Sequence, residues 1–206
     1  MPTNFLSLLR PVLTVVLAIG LFTACDSNEP SDNAGEQEVI SNVTLSFDDP
    51  ATTTAPDVTA EAVFGSGGDL QSVEPIPLTN GISYDVSIEL RDRFNDEDIT
   101  AEIEEEDEEH RFFYRVEDAE SGGSPVNGIL DISGLDADAN GDDLGLTFAA
   151  ETLSATSGTV YLRVKLRHYE ENATLPEDKR NDTIEAPEEP EIVENDVDFT
   201  YPLTVN

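Results

Sequence analysis

Two histidines and one glutamate are the side chains in this sequence best spaced for chemistry. The chain carries two histidines, His110 and His168. His168 continues the alternation of Val160, Leu162, Val164 and Leu166, so it shares a strand face with those apolar residues. His110 stands in the same relation to Phe112, Tyr114 and Val116. If these two strands pair antiparallel, both imidazoles come to one end of the sheet. Glu106 reaches the same place from DITAEIEEEDEEH, residues 98–110. On a helix advancing about 100° per residue, Ile99, Ile103, Glu106 and His110 fall within about 60° of arc. Two imidazoles and a carboxylate make a donor set for Zn²⁺, Cu²⁺ or Fe²⁺. The same pattern also fits two structural histidines at strand ends, each hydrogen-bonded to a neighbouring glutamate.

A second cluster is DADANGDD, residues 136–143. Asp136, Asp138, Asn140 and Asp142 alternate as the oxygen ligands of a calcium loop do, with Gly141 at the sharp turn. The terminal glutamate of an EF-hand would fall at position 147, which is threonine, and no helices flank the loop. The segment therefore reads either as a weak Ca²⁺ site or as a polar turn. A catalytic apparatus is not apparent. The chain has no G-x-S-x-G elbow and no phosphate-loop lysine motif, and GSGGD, residues 65–69, reads as a strand connection. The sequence thus predicts a protein that is not an enzyme.

The elements that must position these residues are strands. Val43, Leu45 and Phe47 alternate, as do Val58, Ala60, Ala62 and Phe64. Ile82, Tyr84, Val86, Ile88 and Leu90 follow an Asn80-Gly81 turn. Phe112 to Val116, residues 129–132, Leu144 to Phe148, Val160 to Leu166, and Val197 to Val205 complete the set. About eight short strands separated by turn residues predict an all-β, antiparallel β-sandwich. The exception is residues 98–110, a short acidic helix with Asp98 as N-cap. Its glutamate pairs 102/106, 104/108 and 105/109 are like-charged at i,i+4, each costing about 0.2–0.5 kcal/mol at low salt. Residues 170–195 are acidic, contain Pro176, Pro187 and Pro190, and predict a long mobile loop.

Charge narrows the partners. The chain holds 45 acidic residues against ten Lys and Arg, a formal net charge of −35. Such a surface repels polyphosphates, so nucleic acid is excluded as a partner. It also repels itself, and salt relieves this because the Debye length falls to about 3 Å at 1 M. Abundant carboxylates with scarce lysine resemble the halophilic surfaces of proteins from salt-loving organisms. Cation binding is the alternative use of the same charge.

The N-terminus supplies an address. Arg10 is followed by the uncharged, apolar PVLTVVLAIGLFTA, residues 11–24, and then by Cys25, the one cysteine of the chain. The run is shorter than the roughly 20 residues of a spanning helix and has the layout of a secretory signal peptide. Signal followed by cysteine resembles the bacterial lipoprotein signal. Thr23, Ala24 and Cys25 match its cleavage box, and Phe22 stands where leucine is usual. The resemblance implies lipidation at Cys25 and anchorage to a membrane of the cell envelope, with more than one acyl chain giving stable attachment. The outer membrane is favoured, facing the periplasm or the surface. Residues 1–24 are then the signal, 25–37 the lipidated cysteine and a polar tether, and 38–206 one domain.

ITAEIEEEDEEHRFFY (residues 99–114), DADANGDDLGLTF (136–148) and LRVKLRH (162–168) resemble a family of small secreted lipoproteins with an Ig-like β-sandwich. The resemblance covers most of residues 38–206. It implies no established activity, and it implies a neighbourhood of TonB-dependent outer-membrane receptors, hence a part in nutrient or metal uptake. Some members carry the label of a type 1 periplasmic binding fold. That two-lobed α/β fold needs many crossover helices, and this chain offers one. The functional expectation is a cell-envelope lipoprotein acting as a non-catalytic binding or accessory module, with metal handling beside a receptor as its concrete form. The alternative is a structural or adhesive surface domain without a small ligand.

Overall fold

A computed structural model describes residues 38–52, 57–120, 122–169, 179, 182–185 and 193–206. The expected signal, Cys25 and tether lie outside the described residues. Among the described residues no helix is long and apolar enough to cross a membrane.

Apolar alternation becomes strands at every stretch where the sequence shows it except at Leu144 and Leu146. They are β1 (Asn42–Asp48), β2 (Val58–Phe64), β3 (Leu70–Val73), β4 (Ile76–Leu78), β5 (Ser83–Arg91), β6 (His110–Glu117), β7 (Leu130–Ser133), β8 (Thr147–Thr152), β9 (Val160–Tyr169) and β10 (Val193–Val205). They form a six-stranded sheet, β3-β2-β1-β5-β8-β7, and a four-stranded sheet, β4-β10-β9-β6. The fold is an all-β sandwich with ten strands described rather than eight. All pairings are antiparallel except β4 with β10, which is parallel.

One core joins the two sheets. Tyr84, Val86, Ile88 and Leu90 of β5 point into it, as do Leu162, Val164 and Leu166 of β9. Phe64 of β2 meets Phe199 of β10 edge-on at 5.1 Å, and Tyr114 of β6 meets Phe148 of β8 at 4.2 Å. The buried Tyr201 hydroxyl of β10 donates to the Val43 carbonyl of β1 at 2.9 Å, so a polar tip deep in the core keeps a partner. Asn80-Gly81 is the expected turn, with Gly81 at φ +77°, a region that suits glycine. It connects β4 of one sheet to β5 of the other instead of closing a hairpin.

Three details differ from the sequence expectation. The helix α1 spans Ile99–Glu105 and buries Ile99 and Ile103; a 3₁₀ turn, Asp107–Glu109, follows, and His110 begins β6. The acidic run Glu104 to Glu109 opposes the helix dipole at its C-terminal end, with no basic residue in the last turn to offset it. Asp98 holds the N-cap position but makes no side-chain capping bond. Leu144 and Leu146 are buried without being strand residues. Their carbonyls accept from Phe112 of one sheet at 2.7 Å and from Ile88 of the other at 3.0 Å, so this segment crosses between sheets. Gly145 sits at the crossing at φ +92°, where a Cβ would come within 3.0 Å of Phe112 Cβ. Finally, residues 193–195 belong to β10, and within the expected loop Lys179, Asp182 and Ile184 are buried, whereas Thr183 and Glu185 are exposed.

Candidate metal centre

Strand register brings the two histidines together. His110 and His168 are directly opposite each other in the β6–β9 ladder. Their rings lie 4.3 Å apart and tilted by 35°. Both are buried, at 0% and 3% exposure. The shared parity with Phe112 and Leu166 is what turns both rings inward.

Each ring nitrogen faces an acceptor. His110 Nδ1 lies 3.0 Å from the Glu106 carbonyl oxygen. That carbonyl accepts only, so Nδ1 carries the proton, which leaves Nε2 as the ligand nitrogen. Nε2 lies 3.1 Å from Glu38 Oε1. The other oxygen of Glu38 is 3.4 Å from His168 Nδ1, and Glu109 Oε2 is 3.6 Å from His168 Nε2. A lone pair facing a carboxylate is repulsive unless a cation lies between them. Either a second proton on the ring or a metal ion supplies it.

Glu38, Glu106, His110 and His168 can each offer one ligand atom such that all lie within 4.8 Å of one another. The structure thus brings the three expected residues together and adds Glu38. Among the described residues no other group of three or more His, Cys, Asp or Glu converges this way. Glu38 precedes β1, and its side chain is 7% exposed. Nothing marks it in the sequence, where it is one acid among 45 beside a polar tether.

The electrostatics follow from this placement. Burial alone would push the Glu38 carboxyl up. Hydrogen bonds and charge from His110 and His168 outweigh that and hold it well below the usual carboxylate range. Burial pulls His168 down, but Glu38, Asp196 and Glu109 raise it from 6.5 to about 9. Asp196 is pushed up to about 8, by burial first and then by Glu38, with His168 opposing.

The aspartate loop is organised differently. Asp136 Oδ1 accepts from the Gly145 and Thr147 amides at 3.0 and 2.9 Å. Asp138 Oδ1 accepts from the Asn140 and Asp142 amides at 2.9 and 2.8 Å, and its Oδ2 takes the Lys179 ammonium at 2.7 Å. Asp142 is buried and Asn140 exposed. Gly141 makes the turn at φ +88°, as the spacing implies. Asp136 Oδ1 and both Asp138 oxygens, three of those expected for Ca²⁺, are therefore used by backbone amides and a fully buried lysine, and Lys179 holds its Asp138 partner below the usual carboxylate range against the effect of burial.

A surface hollow of about 590 Å³ lies at the far end of β1 from Glu38. Ser46, Asp48, Asp85, Ser87 and Thr147 line it, and it contains no histidine. No protein-family model, curated protein or solved structure matches the chain.

Proposed function

We propose that this protein is a lipid-anchored module of the cell envelope that binds one divalent transition-metal ion with Glu38, Glu106, His110 and His168, and that it does so without catalysis. The single observation that carries this is the His110–Glu38 contact. A ring whose Nδ1 is committed to a carbonyl presents Nε2 to a buried carboxylate, beside a second imidazole that also faces carboxylates. Such a site asks for a cation, and two imidazoles with carboxylates suit Zn²⁺, Cu²⁺ or Fe²⁺. Fixing the His110 tautomer through a backbone carbonyl is the usual outer-shell device for a ligating histidine. Cys25 carries the anchor in this reading, and the resemblance to small envelope lipoproteins supports a role beside an uptake receptor of the TonB-dependent type.

The test is a thermal melt of metal-free protein with each ion added. Binding at about 100 times Kd stabilises by about 2.7 kcal/mol, and His168→Ala removes that gain. No shift with any of the three ions contradicts the proposal. Anchoring is tested separately: Cys25→Ser moves the protein from the membrane fraction to the soluble one, and retention in the membrane contradicts the anchor.

A structural or adhesive domain is the second reading. Glu38 bridging both histidines favours it, because two protonated rings around one carboxylate also satisfy the contacts.

A further inference from the structure

Asp196 is the residue that simple alternation would not put at this centre. In the β9–β10 ladder Asn195 pairs with Arg167 and Val197 with Leu166, so Asp196 is the extra residue of a β-bulge. The bulge lies next to the Glu194–His168 pair. A bulge interrupts ladder hydrogen bonds and re-aims a side chain. Here both Asp196 carboxylate oxygens are buried with no hydrogen-bond donor among the described residues. The charges acting most strongly on them are Glu38 and His168. His168 itself is 3% exposed, and neither of its ring nitrogens makes a well-directed hydrogen bond.

Two unfavourable features thus coincide. The fold interrupts a central ladder, and it takes a carboxylate out of water beside another carboxylate. Burying an unpaired charge is strongly unfavourable, and a like charge adds to that. A divalent cation between the two carboxylates removes both penalties at once.

We infer that Asp196 is a further ligand of the metal, and that the buried part of the centre is His110, His168, Glu38 and Asp196 around one divalent ion. This rests on the metal binding proposed above and goes beyond it in naming the ligand set and its charge. Two carboxylates balance the charge of a divalent ion, so the buried set is neutral with both imidazoles unprotonated. Glu106, exposed at the end of α1, then closes the site from the solvent side. Two nitrogens and three carboxylates exceed the four ligands of a structural zinc site, so the class of ion is a divalent metal that accepts mixed N/O donors beyond four-coordination.

The experiment is a competition titration of the full mature chain with Zn²⁺ at pH 7.5, comparing wild type with Asp196→Asn, together with melts of both in metal-free buffer. The amide keeps the shape and removes the charge. The expected result is at least tenfold weaker Zn²⁺ binding by Asp196→Asn, with a metal-free Tm equal to or above that of wild type. Loss of affinity without loss of stability is what a ligand gives and a structural residue does not. Equal affinity in the two proteins overturns the inference and leaves the metal proposal standing. A fall in metal-free Tm, or failure of the variant to fold, also overturns it, since the carboxylate would then be holding the fold. Absence of binding by wild type overturns the metal proposal, and the inference with it.

Discussion

The two faces of the four-stranded sheet solve the same problem in opposite ways. Both bury charge. On the outer face of β6 and β9 stand Arg111, Arg115, Arg163, Lys165 and Arg167, with Arg111 directly across from Arg167 and Arg115 across from Arg163. Such like-charged pairs are destabilising alone. Here each is matched. Asp198 takes Arg163 at 2.6 Å and Lys165 at 3.1 Å, and the fully buried Glu117 takes Arg115 at 2.6 Å and Arg163 at 3.3 Å. Arg167 donates to Asp182 Oδ2 and to the Thr183 carbonyl, both at 2.6 Å. The guanidinium groups of Arg111 and Arg167 both lie over the Phe113 ring, at 4.7 and 4.8 Å. At the inner end of the same strands the carboxylates of Glu38, Glu109 and Asp196 surround two imidazoles, and among the described residues no lysine or arginine pairs with Glu38.

The difference teaches what each cluster is for. A guanidinium keeps its charge at any physiological pH, so an arginine–carboxylate network is permanent. An imidazole can give up its proton and offer a lone pair instead. This chain has only ten Lys and Arg, and it places five of them on the outer face; among the described residues none pairs with the histidines' partner Glu38. The outer face closes the fold, whereas the inner end keeps its positive charge exchangeable.

The strongest way to break this contrast is Arg167→Ala. It removes the guanidinium that pairs with the buried Asp182 carboxylate, although the Tyr169 hydroxyl still donates to it at 2.8 Å, and takes one of two guanidinium groups off the Phe113 ring, so stability falls by about 3–5 kcal/mol. A Tm lower by on the order of 10 °C follows for a domain of this size, while metal-induced stabilisation survives in the folded fraction. A change below about 1 kcal/mol means that the outer face is not a closed network.

A smaller effect, of opposite character, is expected from pH at the inner end. Glu38 before β1, Glu109 of the 3₁₀ turn, His110 of β6 and Asp196 of β10 all face His168. Its folded pKa is raised from 6.5 to about 9. The stability it contributes is therefore complete below about pH 6.5 and lost as pH rises through about 9, a few kcal/mol in all. Denaturant melts of metal-free protein between pH 6 and 10 should show this decline, and His168→Gln should flatten it. Saturating metal should flatten it too, because the ion replaces the proton. A decline unchanged by His168→Gln places its origin elsewhere.

The smallest effect is expected at the Asp136–Asp142 loop. With Lys179 already seated on Asp138, millimolar Ca²⁺ should move Tm no more than Mg²⁺ at equal ionic strength. A specific Ca²⁺ shift that Asp138→Asn removes would return that loop to the list of ion sites.

Much of this contrast is legible in the sequence, and the remainder has identifiable causes. β5, β9 and the body of β10 read directly because one face is core and the other is not. β3 does not, since three of its four residues are exposed and no alternation survives. β4 is three residues long with Pro77 at its centre, and its parallel partner lies more than 100 residues away. His110 and His168 were visible through parity alone, because an antiparallel ladder preserves it. Glu38 was not, since strand alternation says nothing of a residue before β1. Asp196 was hidden for a different reason: a bulge changes the phase of a strand without changing its composition, and alternation read back from Val197 places position 196 on the outer face.

The most direct measurement is the metal content of the purified protein, loaded with Zn²⁺, desalted and compared with the double variant His110→Ala/His168→Ala by elemental analysis. One ion per wild-type chain and close to none in the folded double variant is the expected result. Equal metal in the two proteins, or none in the wild type, contradicts a metal centre between β6 and β9.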